Sequence, residues 1–235
     1  MSHTTLRRRA LLTAGGVAAG ALALPAAASA APATPPAEPA PTTPAAAVRR
    51  LLAGNRRFTS GRARHPHQSL DRLHEVAAGQ HPFAVLLGCA DSRVSPELLF
   101  DEGIGDLFDD RVAGNIVDDL LLGSMEYAVE EFAPPLIVVL GHERCGAISA
   151  TINAINTGAS APGHIASIVA ALRPIVAPYA SAPDGVERAV QANIRAQAAA
   201  ILSRSDIIRE RVESGETAVV GARYDLDTGV VTLVR

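Results

Sequence analysis

The sequence has little of three things: net charge, long hydrophobic runs and cysteine. The formal net charge of the 235-residue chain is −3, which gives no support for nucleic-acid binding. The apolar stretch near the N-terminus ends near Pro25 and is too short for an ordinary membrane-spanning helix. Only two cysteines are present. They can form one disulfide, or a metal site that also uses other residue types.

The first thirty residues have the order of segments that is typical of an export signal. A basic start at residues 7–12 (RRRALL) opens the apolar stretch, which runs into the small residues 28–30 (ASA) of a cleavage site. The arginine pair before the apolar residues is typical of a bacterial twin-arginine signal. A retained membrane anchor is the alternative. We expect an exported protein, located outside the cell, in the cell envelope or in the periplasm, with no stable membrane span after signal cleavage.

The rest of the chain divides into a linker and one domain. Residues 31–44 are rich in proline, alanine and threonine and predict an extended linker. Residues 45–235 are long enough for one substantial core. Within them, apolar runs at 83–87 and 136–140 predict strands that are buried on both faces of a sheet.

Helical patterns alternate with these strands, at residues 116–132, 146–156 and 186–203. This alternation predicts an α/β fold with a mostly parallel central sheet flanked by helices. Residues 217–224 and 230–234, separated by a short Asp-Thr-Gly turn, predict a closing hairpin.

Both cysteines lie in motifs with other side chains that bind metals. Cys89 opens the run CADSRV, which also contains Asp91 and Arg93, and Cys145 follows His142 by three residues in the run GHERCG. Two thiolates, an imidazole and a carboxylate suit Zn²⁺. A structural disulfide is the alternative. It would not need the acid, the arginine or the histidine, so the metal site is the favoured prediction.

The predicted strands explain how two distant motifs can meet. Cys89 falls just beyond the first apolar run and His142 just beyond the second, and ligands in parallel sheets collect at the carboxyl ends of the strands. Cys145 precedes a predicted helix, whose positive N-terminus favours a thiolate. A catalytic zinc keeps three protein ligands and one open position. Cys89, His142 and Cys145 supply three, and Asp91 either closes the fourth position or is held by Arg93.

These motifs resemble those of the β-class carbonic anhydrases, whose signature is a Cys-x-Asp-Ser-Arg run and a later His-x-x-Cys. The resemblance extends from about Leu51 to the C-terminus and includes residues 111–117 (RVAGNIV), 126–129 (EYAV) and 136–141 (LIVVLG). It implies a zinc lyase, a carbonate dehydratase that reversibly hydrates carbon dioxide to bicarbonate and a proton. It also implies a homodimer or higher homo-oligomer, with an N-terminal helix that packs on a partner subunit.

The resemblance further implies roles for individual residues. Asp91 and Arg93 act as a catalytic pair, with Asp91 paired to Arg93 in the active form and bound to zinc in a closed form. Tyr127 reaches into the substrate pocket from a partner subunit. The residues that the resemblance places in that pocket are Gln80, Phe108, Tyr127 and Gly146.

The sequence departs from this family's pattern in two places. Asp109 and Asp110 follow Phe108 where related chains usually carry two valines in a buried strand, and unpaired carboxylates there would cost on the order of several kcal/mol. We expect an exposed strand, pairing with Arg111 or another base, or an altered pocket. The chain also has no tryptophan, so a regulatory bicarbonate pocket built on that residue in some relatives has no counterpart.

Two other functions remain open at this point. The same fold and metal could act on another linear heterocumulene such as carbon disulfide. Alternatively, the chain could be a non-catalytic zinc-binding or disulfide-stabilised interaction module. Arg93 favours an enzyme, because a closed structural zinc site has no use for a residue that draws Asp91 away from the metal.

Overall fold

The computed structural model describes residues 39–234. The predicted export signal and most of the predicted linker therefore lie outside the described residues. Within residues 39–234, no helix combines the length and the apolar character that crossing a bilayer requires.

Eight α-helices and five strands follow one another in the described range. In chain order they are α1 (Pro44–Thr59), α2 (Leu70–Glu75), β1 (Ala84–Gly88), α3 (Pro96–Leu99), β2 (Leu107–Arg111), α4 (Asp119–Phe132), β3 (Leu136–His142), α5 (Gly146–Thr157), α6 (Ile165–Val176), α7 (Gly185–Arg204), α8 (Asp206–Glu213), β4 (Ala218–Tyr224) and β5 (Val231–Val234).

The five strands form one sheet in the order β2-β1-β3-β4-β5. The pairs between β2, β1, β3 and β4 are parallel, and β5 runs antiparallel to β4. This arrangement confirms the predicted α/β fold with a mostly parallel sheet, and the closing hairpin. Because β1 and β3 are neighbours, with Gly88 opposite Leu140, their carboxyl ends meet at one edge of the sheet.

Both faces of the sheet are covered, which explains the continuous apolar runs in the sequence. Val85 and Leu87 pack in the core on the side of helices α4 to α8, whereas Ala84 and Leu86 pack in the core beneath α1 and α3. Every residue of β1 and of β3 is buried. Strands covered on both faces lose the alternation of polar and apolar residues that a half-exposed strand shows.

Helix α1 packs on its own chain. Gly54 approaches Phe100 so closely that a Cβ atom would lie 1.6 Å from the Phe100 carbonyl oxygen. The buried Asn55 side chain donates to the Leu99 carbonyl at 3.0 Å and accepts from the N–H of Val231 at 2.9 Å. The predicted packing of this helix on a partner subunit concerns a second chain and stays a prediction. The apolar face of α1 is covered by its own sheet and α3, and only the remaining face is left for a second copy.

Asp109 and Asp110 lie on β2, an edge strand, and neither forms a salt bridge within the described residues. One carboxylate oxygen of each is buried without a hydrogen-bond partner there. The nearby Arg111 directs its guanidinium to backbone carbonyls of the loop after β1 instead. Of the expected explanations, exposure of the strand and pairing with Arg111 are therefore both wrong for this chain.

The environment of these two acids changes their protonation. Burial raises the pKa of Asp109 to about 7, and the neighbouring Glu97 carboxylate adds to the shift. Burial also raises the pKa of Asp110, although a hydrogen bond with Ser124 opposes this. Near neutral pH, Asp109 therefore spends much of its time as a neutral acid, which lowers the cost of keeping it in the sheet.

The raised pKa of Asp109 predicts a loss of stability with rising pH. The folded pKa of about 7 lies above the value of about 3.9 for an unfolded aspartate, so the folded state retains the proton longer and becomes less stable between about pH 4 and pH 7. Asp109→Asn should remove this loss and raise the free energy of unfolding by about 4 kcal/mol at about pH 8, with little effect at about pH 4. Urea unfolding at both pH values measures this change in the free energy of unfolding. Glu130→Gln, at an exposed position on α4, is the control, and equal effects of the two substitutions would contradict the prediction.

Candidate metal centre

The fold brings both cysteines and His142 together. Cys89 directly follows β1, His142 is the last residue of β3, and Cys145 immediately precedes α5. All three are buried, and one sulfur from each cysteine and one ring nitrogen of the histidine lie within 4.8 Å of one another. The predicted convergence of the two motifs at one sheet edge is therefore present.

These three side chains fit a zinc ion. Nδ1 of His142 donates to the Glu143 carbonyl at 2.8 Å, so Nε2 is the nitrogen left to bind a metal. Nε2 is buried and has no hydrogen-bond partner among the described residues. Such an unpaired buried nitrogen is unfavourable unless a cation satisfies it. Neither cysteine is in a disulfide, and two sulfurs with one imidazole nitrogen form a set that zinc prefers.

The two cysteines differ in their protonation. A hydrogen bond with the Cys145 thiol, reinforced by His142 and by the backbone N–H of Gly114, lowers the pKa of Cys89 to about 4. The pKa of Cys145 is raised, because its proton is held in the hydrogen bond to Cys89. The pair by itself thus holds one thiolate and one thiol. A divalent cation would deprotonate the second sulfur as well.

Asp91 is held by Arg93 beside the three ligands. One carboxylate oxygen accepts from the backbone N–H and from Nε of Arg93, each at 2.9 Å, and the other accepts from Nη2 at 2.7 Å. This pairing keeps the pKa of Asp91 well below its usual range. The same carboxylate lies 3.9 Å from Nε2 of His142. In the described arrangement, the Asp91 carboxylate is thus held by Arg93, beside the three candidate ligands.

Arg111 organises the loop that carries Cys89 and Asp91. Its guanidinium donates to the carbonyl of Cys89 at 2.9 and 3.1 Å, to that of Asp91 at 2.8 Å and to that of Val94 at 2.6 Å. Sequence reasoning considered Arg111 only as a partner for the acids of β2. Its position at the end of a strand that neighbours β1 is the signal that could have identified this role.

A buried network from α7 supports Cys89 from the other side. The N–H of Gly114 donates to the Cys89 sulfur at 3.3 Å, and the Asn193 side chain donates to the Gly114 carbonyl at 2.8 Å. Gln197 accepts from the N–H of Val117 and donates to Asn193, each at 2.9 Å. The sequence gives no signal for either amide, because single Asn and Gln residues on a helix form no motif.

The four predicted substrate residues are not all near the metal ligands. Gly146 is the first residue of α5, next to Cys145, and a Cβ atom there would face open space. Phe108 on β2 lies opposite Val85 on β1. Val85 is four residues before Cys89, so Phe108 is about 13 Å from Cys89 along the strand direction. Gln80 is exposed and precedes the amino end of β1.

Tyr127 lies with Phe108 in an aromatic cluster at some distance from the metal ligands. The ring centres of Tyr127 and Phe108 are 6.5 Å apart, and those of Tyr127 and Phe132 are 5.8 Å apart. The Tyr127 side chain remains 54% exposed. Within one chain, the structure therefore brings Gly146 to the metal ligands but not Gln80, Phe108 or Tyr127.

Comparison with known proteins identifies one family. A family model described as carbonic anhydrase matches residues 84–231. The chain is 45% identical over 191 residues to carbonic anhydrase 2 of Mycobacterium tuberculosis, which covers 80% of this chain and 91% of that protein. It is 40% identical over 189 residues to the carbonic anhydrase of Mycolicibacterium smegmatis, with coverages of 80% and 92%. A solved Coccomyxa β-carbonic anhydrase in complex with acetazolamide has a TM-score of 0.61 and 29% identity, and covers 78% of this chain and 84% of that one.

The Gly114 contact predicts a stability difference between two glycines. Gly114 and Gly158 have φ angles of +82° and +70°, so alanine at either position costs about 1 kcal/mol in backbone strain. Only at Gly114 would the added Cβ also meet Ala147 and Leu172, each at 3.1 Å. Gly114→Ala should therefore lower the free energy of unfolding by about 2–3 kcal/mol and Gly158→Ala by about 1 kcal/mol. Urea unfolding compares the two, and equal losses would contradict the steric argument.

Proposed function

Because the chain belongs to the β class of the carbonic anhydrase family, it catalyses the reversible hydration of carbon dioxide to bicarbonate and a proton, and we propose that Cys89, His142 and Cys145 hold a zinc ion for this reaction. The observation that carries the proposal is the buried set of two sulfurs and an otherwise unpartnered His142 Nε2. Zinc in such a site acts as a Lewis acid that lowers the pKa of water.

Asp91 and Arg93 have a joint catalytic role in this proposal. The bidentate contact with Arg93 keeps the carboxylate from closing the fourth metal position, and arginine makes this fork where lysine cannot. Because the pKa of Asp91 lies well below its usual range, the carboxylate accepts hydrogen bonds and cannot donate them. The Asp91 carboxylate thus favours a hydrogen-bond donor, such as water, next to the metal ligands. The position of this one side chain decides whether the fourth metal position is open or closed.

We further propose that the active form is a homodimer or a higher homo-oligomer with shared substrate pockets. The support is geometric: Gln80, Phe108 and Tyr127 lie toward the amino ends of the strands, whereas the metal ligands lie at the carboxyl ends. The strand β2 is an edge of the sheet. A two-fold axis perpendicular to an edge strand reverses the strand's direction, so the amino end of one copy meets the carboxyl end of the other. Such a pair completes both pockets.

We also propose that the protein is exported before it acts on its substrate, and the N-terminal sequence supports this proposal. Residues 7–30 carry the arginine pair, the short apolar stretch and the small residues of a cleavable signal. A twin-arginine route transports folded proteins, so zinc would bind in the reducing cytoplasm before the cysteines reach an oxidising compartment. The proposed locations are the extracellular space, the cell envelope and the periplasm.

Stopped-flow measurement of carbon dioxide hydration tests the zinc site. At about pH 8.5 the zinc-loaded protein should be active, a chelator should abolish the activity, and added zinc should restore it. Arg93→Gln, which frees Asp91 to bind the metal, should lower kcat by at least about tenfold, with Arg93→Lys in between. Arg209→Gln, which removes an exposed ion pair on α8, is the control. Activity that survives complete zinc removal would contradict the proposal.

Complementation between two inactive variants tests the shared pocket. Cys145→Ser removes a metal ligand and Tyr127→Ala removes a pocket residue, so each variant alone should have little activity. In a refolded equal mixture, half of the dimers are mixed, and one of their two sites is intact. Activity should therefore recover to about a quarter of the wild-type value. If Tyr127 acts only in its own chain, the mixture will show no more than the average of its two parents.

A further inference from the structure

The turn that carries two of the metal ligands is short and strained. Only Glu143 and Arg144 separate His142 from Cys145, and Arg144 has a φ angle of +49°. An arginine in this left-handed region is strained and persists only where the surroundings impose it. Both intervening side chains contact the β4–β5 hairpin through oppositely charged or polar groups.

Glu143 is fixed to the hairpin through its backbone and its carboxylate. Its N–H donates to the Tyr224 carbonyl at 3.0 Å, one carboxylate oxygen accepts from Nη2 of Arg223, and the other accepts from the N–H of Leu226 at 3.1 Å. The carbonyl of the same residue accepts from Nδ1 of His142. The contacts that hold Glu143 therefore also set the direction in which the imidazole presents Nε2.

Arg223 is itself held in place on β4. Its Nε donates to Glu187 of α7 at 2.6 Å, and its Nη1 lies 3.4 Å from Asp225. The side chains of Glu143 and Arg223 are each only 17% exposed. Removing one partner of such a sheltered pair leaves the other charge in a partly dry environment, which is more damaging than the loss of a surface ion pair.

The second ion pair of the turn provides an internal comparison. Arg144 makes two 2.8 Å contacts with Asp227, but the two side chains are 53% and 71% exposed. Exposed ion pairs of this kind contribute little to stability. Glu143 and Arg144 thus both contact the β4–β5 hairpin, Glu143 through a largely buried ion pair and Arg144 through an exposed one.

The acids of this region do not form a second cation site. Glu143, Asp225 and Asp227 come close enough together to suggest one. However, Arg223 contacts the first two and Arg144 contacts the third. Their charges are already compensated by arginine, so their arrangement is explained by the attachment of the turn.

We propose that Glu143 and Arg223 are positioning residues that hold the His142–Cys145 turn in its metal-binding geometry and slow the loss of zinc. This inference rests on the zinc site of the proposed function and adds residues that do not touch the ion. The pair fixes the peptide that orients His142 and the turn that delivers Cys145, so the ligands are arranged before the ion arrives. Contacts of this kind change metal affinity by about 10–100-fold.

The rate of zinc release tests this proposal. The full-length zinc-loaded protein is mixed with an excess of a chromogenic chelator, and the transfer of zinc is followed by absorbance. Glu143→Gln keeps the shape of the side chain and an acceptor for the Leu226 N–H but removes the charge. It should release zinc about 10–100-fold faster than the wild type, and Arg223→Gln should do the same. The double variant should be no faster than the faster single variant, because both substitutions remove one contact.

Arg144→Gln is the matched control, since it changes the same turn at its exposed ion pair. Its zinc release should stay within about twofold of the wild-type rate. Arg223→Lys keeps a charge without the planar fork and should fall between the wild type and Arg223→Gln. If Glu143→Gln does not fold, the zinc-release rate of Arg223→Lys is compared with that of the wild type in its place.

Cobalt substitution separates positioning from a general loss of stability. A displaced His142 or Cys145 should shift the visible absorption bands of bound Co²⁺ in Glu143→Gln. A general loss of stability would instead lower the metal-free melting temperature and leave these bands unchanged. Wild-type zinc release from Glu143→Gln would overturn the proposal. So would equal acceleration in Arg144→Gln, or fast release with an unchanged cobalt spectrum. If the wild-type protein retains no zinc, the zinc site itself is overturned. The zinc content of the wild type is measured before any variant is compared, so this failure is distinguished from failure of the positioning proposal.

Discussion

The parallel pairing of β1 with β3 is the constraint on which the metal centre depends. The register sets Gly88 opposite Leu140, so the residues that follow the two strands emerge side by side. Cys89 and His142 are neighbours for this reason and not through any contact between their own segments. A slip of the pairing by one residue would turn the side chains of a strand to the opposite face. Because the side chains on both faces are close-packed, a slip would misfit them on either side of the sheet, and this protects the ligand set.

Separate parts of the chain then hold each ligand in place. Arg111 at the end of β2 binds the carbonyls of the Cys89 loop, and Asn193 on α7 holds the Gly114 N–H against the Cys89 sulfur. The hairpin holds the turn of His142 through Glu143. The site is thus fixed from three directions by groups that lie outside the ligand set. A site supported in this way needs little rearrangement when an ion enters, and this favours tight binding and defined geometry.

Some of these features could be predicted from the sequence and others could not. Cysteine and histidine are scarce and chemically distinctive, so their spacing after two apolar runs was enough to predict that Cys89, His142 and Cys145 meet at one sheet edge. Arginine and amides have many uses, and the roles of Arg111 and Asn193 depend on distances that only the folded chain defines. Asp109 shows the reverse problem. Its charge suggested an exposed or paired position, but the fold keeps it largely buried with a raised pKa. The separation of Phe108 from Cys89 likewise follows from strand register, which the local pattern does not specify.

The attachment of the metal-binding turn to the β4–β5 hairpin also orders events during translation. The strands β4 and β5 are the last elements of the described residues, and β5 ends at Val234. His142 and Cys145 leave the ribosome several tens of residues earlier, and at about 5–20 residues per second this amounts to a wait of several seconds. All three ligands therefore exist in the nascent chain before Arg223 does. A polypeptide cut short ahead of this hairpin would carry every proposed ligand but not the residues proposed to arrange them, so firm capture of the ion would require translation through β4 and β5.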